Sequence, residues 1–326
     1  MTTLQYIINL FNLVFILNSL ACETLDTEKP GALVPPTTDQ DVYLPQLAVN
    51  VAGHSRKIHL QTFGNPENPK IFVLHGGPGA DFRLLLPIRE LADRFFVVMW
   101  DSRGAGLSER VTEAELTINS FNEELDEVKS ALSPDQKVTL IGHSFGGNVM
   151  IRYAAKFPEN VRQLILIEPG KFDLSLNKKN TGGAVSFLDG QDFFWQNEIL
   201  TSMDHAAADY KAVEVLPKSS RNWTCDDSII ENYPFWRFGT FHYYILQKNT
   251  RKLAKDFNWA SGIDQFDGPI TIIAGDCGGL GKDFQTKTNL LTLPQATFKV
   301  IEGAGHITMF TEYATETVSA VRTALP

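Results

Sequence analysis

One serine in this 326-residue chain has the surroundings of a catalytic nucleophile. Ser144 lies in the hexapeptide Gly-His-Ser-Phe-Gly-Gly, directly after the apolar run 138–141 and directly before a segment with helical apolar spacing. In a strand, Gly-x-Ser-x-Gly, helix arrangement, the serine lies on a tight, strained turn that exposes its hydroxyl at the carboxyl edge of a parallel sheet. Gly142 and Gly146 are small enough for the backbone to close around it. The sequence therefore predicts that Ser144 attacks a carbonyl group.

A glycine-rich turn supplies candidates for stabilising the negative charge that this attack creates. The pentapeptide HGGPG at 75–79 follows the strand pattern 71–74 and precedes a helical pattern over 82–94. Backbone N–H groups fixed near a developing oxyanion stabilise it because they need no reorientation during the reaction. We expect the N–H groups of Gly77 and Phe145 to form this oxyanion hole. The segment lacks the endings and glycine spacing of phosphate and dinucleotide loops, so it does not predict nucleotide binding.

A histidine near the end of the sequence has the setting of a general base. His306 follows the strand pattern 297–302 in the loop Gly-Ala-Gly-His, whose small residues give the ring room to reach a nucleophile. A general base takes the proton of the attacking hydroxyl and later returns it to the leaving group. Among the seven histidines, His306 is the one that we predict to act on Ser144.

The order of these motifs resembles that of α/β-hydrolases. HGGPG, then DSRGAGLS at 101–108, GHSFGG, a long insertion and a terminal GAGH are similar to the proline iminopeptidase-like branch, over about residues 42–326. The resemblance implies cleavage of esters or amides through an acyl-enzyme, without metal or organic cofactor. Proline iminopeptidases usually have GGSWG at the serine, so the peptide substrate is less certain than the chemistry. Asp101 and Arg103 match the family's loop, and we expect them to hold it by charge-assisted contacts rather than to act in catalysis.

Two carboxylates are candidates for the acid that orients His306. Glu168 ends the apolar pattern 163–167, where a charge is costly to bury unless it has a partner such as the imidazole. In the usual arrangement of the family the acid follows the next strand as Gly-x-x-Asp, but that position holds Gly278 here. Asp276 lies on the same turn, two residues earlier. We favour Glu168 and retain Asp276 as the alternative.

Alternating strand and helix patterns around these motifs predict the fold class. We expect an α/β protein of the α/β-hydrolase fold, with a mostly parallel central sheet flanked by helices and an inserted helical cap. Residues 42–168 and 269–326 form the core in this division, and residues 169–268 form the cap, because the alternation stops there for about a hundred residues. Within the core, 42–51 and 57–63 predict an opening antiparallel pair of strands.

The helical segment 117–132 carries a run of acidic residues. Ser120 and Glu123 have the spacing of a capping box. We expect the carboxylates of this segment to mark a solvated helix face. They are Glu123, Glu124, Asp126 and Glu127.

Composition fits a soluble enzyme with one large core. The chain is 43% hydrophobic and 21% charged, which suits a single α/β domain with an insertion. Its net charge of −9 and the lack of a Lys/Arg cluster argue against nucleic acid as a partner. The three cysteines are too scattered for a zinc site or a disulfide framework, and a Cys225–Cys277 bridge stays open.

The amino end predicts export. Residues 4–21 are almost uninterrupted apolar sequence without a charge, and a polar linker follows over 23–41. We interpret 1–22 as an export or lipoprotein signal, with an uncleaved anchor as the alternative. Ser-Leu-Ala-Cys at 19–22 resembles a bacterial lipobox, in which Cys22 would be acylated. We therefore expect an exported protein, periplasmic or attached to a membrane through this segment.

The insertion is the part that would select the substrate. We expect most of its many aromatic residues to pack within the cap and some of them to line an apolar acyl or proline-sized pocket above Ser144. In proline iminopeptidases, carboxylates of the cap hold the amino terminus of the substrate. The candidates for this role are Glu198, Asp204, Asp209, Glu214 and Glu231.

The predicted function is a serine hydrolase that acts on a small molecule or a short peptide. Our first choice is an aminopeptidase that releases N-terminal proline. The alternatives are a carboxylesterase, lipase-like or carbon–carbon bond hydrolase, and a non-catalytic ligand-binding protein on the same fold. Haloalkane dehalogenase and soluble epoxide hydrolase chemistry is disfavoured because the nucleophile of those enzymes at this turn is aspartate.

Overall fold

A single mixed sheet organises the part of the chain that the computed structural model describes, namely residues 34–176, 205–215, 223–225, 235–253 and 255–326. The sheet has eight strands in the order β1-β2-β4-β3-β5-β6-β7-β8. Their bounds are β1 Gln46–Val51, β2 His54–Phe63, β3 Lys70–Leu74, β4 Phe96–Trp100, β5 Val138–His143, β6 Val161–Ile167, β7 Ile270–Gly275 and β8 Thr297–Ile301. The expected signal at 1–22 and the first part of the linker lie outside the described residues.

Strand pairing confirms the predicted α/β class. β1 pairs antiparallel with β2, and β2 antiparallel with β4, whereas all other neighbouring strands are parallel. The expected antiparallel opening pair is therefore present, with a tight turn at Ala52 and Gly53, both of which have positive φ. Because β3 to β8 run in the same direction, their carboxyl ends meet along one edge of the sheet.

Helices lie between the strands. Within the described ranges the α-helices are α1 Ile118–Leu132, α2 Phe145–Lys156, α3 His205–Val215, α4 Thr240–Arg251, α5 Lys282–Lys287, α6 Asn289–Thr292 and α7 Ala314–Arg322. The helical pattern expected over 82–94 is a 3-10 helix, Phe82–Asp93, and it contains Pro87, which lacks the N–H that an α-helix interior requires. Within the described ranges, no helix combines the length and the apolar character needed to cross a bilayer.

Both faces of the sheet are buried. In β3, Phe72 and Leu74 belong to one apolar cluster, whereas Ile71 and Val73 belong to a second. Neighbouring side chains of a strand point to opposite faces, so each face of the sheet is covered by its own cluster. The central strands read as continuous apolar runs for this reason.

The loop after β4 is held by a buried aspartate. One carboxylate oxygen of Asp101 accepts from the N–H of Leu107 at 2.9 Å and lies 2.8 Å from Nδ1 of His59. The other oxygen accepts from the N–H of Phe82 at 2.9 Å. Asp101 therefore has the structural role that we expected, and it joins its loop to β2 and to the 3-10 helix.

Two expectations for helix α1 were wrong. The N-cap is Thr117, whose side chain accepts from the N–H of Ser120, while Ser120 Oγ accepts from the N–H of Thr117. A hydroxyl one turn earlier thus takes the place of the predicted Ser120–Glu123 box, and Ile118, the first residue of the helix, packs against the core. Glu124 is not solvated. It is 2% exposed and accepts hydrogen bonds from Trp100, the last residue of β4, and from Arg103, in the loop that follows.

We expect the substitution Glu124→Ala to destabilise the fold by about 3–5 kcal/mol. Glu124 accepts from Nε1 of Trp100 at 3.0 Å and from Nε of Arg103 at 3.1 Å. Without its carboxylate, the guanidinium of Arg103, which is 2% exposed, keeps a buried charge with no counter-ion. Urea unfolding measures the loss. Glu123→Ala, at an exposed position of the same helix, is the control and should change the unfolding free energy by less than about 0.5 kcal/mol. Equal losses in the two variants would contradict the buried ion pair.

Candidate active site

Ser144 lies on a strained turn between β5 and α2. Its backbone has φ 53° and ψ −121°, a conformation that costs a non-glycine residue about 1–3 kcal/mol. A Cβ on Gly142 would lie 2.6 Å from the carbonyl group of Gly146, and one on Gly146 would clash with the carbonyl oxygen of Leu74. Three backbone segments approach one another closely here, so only glycine fits at both positions. The turn places Ser144 at the carboxyl edge of the sheet, as the sequence predicts.

The end of β6 lies directly beside this serine. The N–H of Ser144 donates to the carbonyl oxygen of Ile167 at 3.0 Å, and the next residue is Glu168, which also has a positive φ of 41°. The N–H of Glu168 donates to the carbonyl oxygen of Ile273 in β7 at 2.8 Å. Glu168 is thereby held at the junction of β5, β6 and β7, where its side chain is completely buried.

Glu168 and not Asp276 contacts His306. Oε2 of Glu168 is 2.7 Å from Nδ1 of His306, and Oε1 accepts from the N–H of Gly275 at 2.8 Å. Asp276 is exposed, and its Oδ1 accepts from the N–H of Gly303 at 2.9 Å. Of the two acids that the sequence left open, the structure thus brings only Glu168 to the imidazole.

The HGGPG turn packs against the serine. A Cβ on Gly76 would lie 2.5 Å from Cβ of Ser144, so the two loops are in direct contact there. Gly77 has φ 41°, and Phe145 is the first residue of α2, where a helix presents unpaired N–H groups. Neither the N–H of Gly77 nor that of Phe145 donates a hydrogen bond to another described residue. Both predicted oxyanion donors therefore flank Ser144 with their N–H groups available to a ligand.

Sequence reasoning missed two residues that hold the HGGPG turn. Nε2 of His75 accepts from the N–H of Ser102 at 3.1 Å, so Nδ1 carries the proton and donates to the carbonyl oxygen of Gly76 at 3.0 Å. Asp81 caps the 3-10 helix through Oδ1, a role that its position before the helix indicates. Its Oδ2 accepts from the N–H groups of Trp236 and Arg237. No sequence pattern signals the contact of His75 with Ser102 or those of Asp81 with Trp236 and Arg237, because they join distant parts of the chain.

Burial controls the charge of the acid–base pair. Removal from water raises the pKa of Glu168 to about 8, although the N–H of Gly275 partly opposes this, and it lowers the pKa of His306 to about 3. Burial also lowers the pKa of the nearby His75 and His143. A protonated Glu168 would donate to Nδ1 and leave the proton of the neutral ring on Nε2. An ionised Glu168 accepts from Nδ1–H and leaves Nε2 free to accept a proton.

Among the cap carboxylates that we expected to hold a substrate amine, Asp209 lies within the described residues and already has ionic partners. Oδ2 of Asp209 accepts from Nη2 of Arg110 at 2.8 Å and from Nε of Arg237 at 2.7 Å, and Oδ1 accepts from the N–H of Thr240 at 2.9 Å. Asp209 is completely buried, so it cannot hold a substrate amine without losing these partners. The described residues do not include the other candidates, Glu198, Asp204 and Glu231, nor the side chain of Glu214.

A disulfide joins the cap to the edge of the sheet. Cys225 is bonded to Cys277, with their Cα atoms 5.2 Å apart, which realises the bridge that the sequence left open. With Asp276, these cysteines form a group of three acidic or sulfur side chains that lie close enough together to share a metal ion. Disulfide sulfurs are not thiolates, however, so the bridged pair does not provide metal ligands.

Comparisons with known proteins place this arrangement in a family. The chain is 27% identical over 266 residues to epoxide hydrolase 1 of Caenorhabditis elegans, a match that covers 77% of this chain and 63% of that protein. It is 37% identical over 101 residues to proline iminopeptidase of Thermoplasma volcanium, which covers 31% of this chain and 34% of that enzyme. The chain thus matches less than two thirds of the length of either relative.

Structural similarity extends further along the chain. The crystal structure of a bacterial membrane phospholipase A superposes with a TM-score of 0.66 at 19% identity, and the match covers 97% of this chain and 98% of that one. At this identity the likeness shows a shared fold. The family described as the alpha/beta hydrolase fold matches residues 69–313, well over half of the chain. This protein therefore belongs to the α/β hydrolase fold family.

Proposed function

We propose that this protein is a serine hydrolase that cleaves its substrate through an acyl-enzyme. The observation that carries the proposal is the 2.7 Å contact between Glu168 and His306, beside a serine on a strained turn. Oγ of Ser144 attacks the carbonyl carbon while Nε2 of His306 takes the hydroxyl proton. Glu168 accepts from Nδ1–H and stabilises the imidazolium that forms. The oxyanion accepts from the N–H groups of Gly77 and Phe145.

The second half of the reaction repeats these steps with water. His306 returns its proton to the leaving group, and the acyl group stays on Oγ of Ser144. A water molecule then attacks the acyl carbon while His306 takes one of its protons. The proton finally returns to Oγ as the acid product leaves, which restores the starting state. No residue besides these five has to change its bonding in the cycle.

The substrate class that we propose first is a peptide with N-terminal proline. Its support is the HGGPG and DSRGAGLS motifs and the similarity to three proline iminopeptidases. The second candidate is a carboxylic ester. It is favoured by the pairing of Asp209 with two arginines, since this carboxylate is then not available for a substrate amine. The residue at the turn is serine, not aspartate, so we do not propose epoxide hydrolysis.

A fluorophosphonate and a small set of substrates test these proposals. Wild-type protein should gain the mass of one phosphonyl group, because an activated serine hydroxyl attacks phosphorus as it attacks a carbonyl carbon. Failure to react would support a non-catalytic binding protein. For the substrate class, proline arylamide is compared with arylamides of other amino acids and with short and long acyl esters. Cleavage of esters without proline arylamide would exclude the peptidase proposal.

We expect kcat/KM to rise with pH, with a half-maximal value near the pKa of about 8 that burial gives Glu168. Below that pH the extra proton on the Glu168–His306 pair prevents Nε2 from accepting the proton of Ser144. Above it, the ionised pair is competent as a base. The measurement is kcat/KM on one neutral substrate from about pH 5 to pH 10. A midpoint at or below about 6.5, the value for an exposed histidine, would contradict a buried Glu168 that controls the base.

We also propose that the protein is exported. The Cys225–Cys277 disulfide supports this, because such bonds persist in oxidising compartments. The uncharged apolar run 4–21 is the candidate signal, and Cys22 is the candidate site for lipid attachment. Fractionation of cells that express wild type or Cys22→Ser tests both parts. A lipidated protein should move from the membrane to the soluble exported fraction in the variant, whereas recovery of wild type in the cytosol with Met1 retained would overturn export.

A further inference from the structure

The imidazole of His306 lies between two other rings. Its centre is 4.4 Å from that of the His143 ring, with 32° between the planes. Its centre is 4.6 Å from that of the Trp223 indole, with 35° between the planes. One face of the imidazole has no room for two rings that are both this close and this nearly parallel to it. His143 and Trp223 therefore cover opposite faces of His306. The ring edge at Nδ1 meets Glu168, and the orientation of His306 is therefore constrained from three directions.

The short segment that carries Trp223 is fastened to the loop of His306. A Cβ on Gly305 would lie 2.8 Å from the carbonyl oxygen of Trp223, so the two backbones are in direct contact. Two residues after Trp223, Cys225 is bonded to Cys277 in the turn after β7. The indole thus reaches His306 from the cap, and a covalent bond fixes its segment to the edge of the sheet.

From these contacts we propose that Trp223 is a positioning residue for His306, held in place by the Cys225–Cys277 disulfide. The inference rests on the proposed serine-hydrolase function. Trp223 prevents the imidazole from turning away from Glu168. Its electron-rich face also attracts the imidazolium that forms when His306 takes the proton of Ser144. Because that positive charge exists only after proton transfer, the attraction lowers the barrier more than it stabilises the resting enzyme.

Few charged groups contact the imidazole of His306. A change in its pKa when Trp223 is replaced therefore reports on the loss of the indole. Among the described residues, Glu168 at the end of β6 and His143 at the end of β5 are the titratable groups that meet it. Asp276, in the turn after β7, bonds to the N–H of Gly303 instead. The sulfurs of Cys225 and Cys277 are bonded to each other and do not titrate. Trp223 itself is neutral.

Three single variants test the role of the indole. Leucine at position 223 keeps much of the bulk but has no aromatic face, whereas phenylalanine keeps a weaker one. We expect Trp223→Leu to slow fluorophosphonate labelling about tenfold and to lower the pKa of His306, measured by NMR on histidine-labelled protein, by about half a unit. Trp223→Phe should restore most of both. Trp236→Leu is the control, since the Trp236 indole contacts a different histidine, His59, in an edge-on arrangement at 5.4 Å with 78° between the planes. It should leave the pKa of His306 unchanged.

The direction of the shift in the pKa of His306 distinguishes attraction between the indole and the imidazolium from simple exclusion of water. An indole that only excluded water would lower the pKa of His306, so its loss would raise that pKa or leave it unchanged, and either result overturns the proposal. The NMR measurement of the His306 pKa does not depend on turnover. A wild type that does not react with fluorophosphonate, but whose His306 pKa falls in Trp223→Leu, would refute the serine-hydrolase function and leave the contact established. If the wild type is labelled normally and Trp223→Leu changes neither the labelling rate nor the pKa of His306, the positioning role of Trp223 is refuted and the serine-hydrolase function is not.

Reduction tests the role of the disulfide. Cys225 is exposed, so a phosphine reductant should open the bond in the folded protein. We expect the labelling rate of reduced wild type to fall toward that of Trp223→Leu, and the double variant Cys225→Ala/Cys277→Ala to be equally slow with or without reductant. Alkylation and intact mass confirm that reduction is complete, and circular dichroism confirms that the fold persists. An unchanged rate after complete reduction would overturn this part of the proposal.

Discussion

Replacing Ser144 with alanine should lower kcat by about 10⁴- to 10⁶-fold on every substrate that the wild type cleaves, and should abolish labelling by a fluorophosphonate. The variant loses the atom that forms the acyl-enzyme, while the oxyanion donors and the binding site remain. Its KM, where turnover can still be measured, should therefore change little. The measurements are steady-state kinetics with the best substrate and intact mass after exposure to the probe.

Ser108→Ala is the matched control for this prediction. Ser108 also lies beside a histidine and an aspartate, because its Oγ accepts from the N–H of His59 and donates to the carbonyl oxygen of Asp101. Its proton is thus held by a backbone oxygen and not by an imidazole, so the hydroxyl is not activated. We expect Ser108→Ala to be less stable but still labelled at Ser144. Loss of labelling in a folded Ser108→Ala, with labelling retained in Ser144→Ala, would contradict the assignment.

The second large effect is expected for Glu168→Gln, which should lower kcat by about 10⁴-fold. An amide N–H₂ facing Nδ1 would favour the imidazole tautomer with its proton on Nε2, and that tautomer cannot accept the proton of Ser144. The imidazolium would also lose its counter-charge. Steady-state kinetics at a pH well above the wild-type midpoint separate this loss from the titration of Glu168.

Asp276→Asn is the control for the acid. Asp276 accepts one hydrogen bond from the N–H of Gly303, and an asparagine oxygen can accept the same bond. The change lies at an exposed position, so we expect kcat within about twofold of wild type. If turnover instead survived Glu168→Gln and collapsed in Asp276→Asn, the assignment of the acid to Glu168 would be wrong.

The parts of the site that the sequence predicts are those formed by neighbouring residues. Glycines on both sides of Ser144 and an apolar run before it indicate a strained turn at a strand end, because both requirements are local. The choice between Glu168 and Asp276 is different. It depends on the pairing of β6 with β7 and on the loop of His306, and no spacing within one segment contains that information.

The contacts of Glu124 and Trp223 also depend on distant segments, so they could not be predicted from the local sequence. A run of acidic residues on a helix normally faces water, and three of the four carboxylates in α1 remain at least partly exposed. The fourth is buried because Trp100, at the end of β4, and Arg103, in the loop after it, supply its hydrogen bonds. Trp223 belongs to a cap whose aromatic residues have no periodic pattern, so its contact with His306 is visible only in three dimensions.

The positive φ angles have a consequence for engineering. Among the described residues other than glycine, positive φ occurs at Ala52, in a hairpin turn, and at Ser144 and Glu168. Glycine adopts such angles without steric cost, so selection for thermal stability alone would favour glycine at position 144, whereas glycine at position 168 would also remove both hydrogen bonds of a buried carboxylate. A thermostability screen without an activity assay would therefore enrich inactive variants at position 144, and directed evolution of this protein should keep codon 144 fixed.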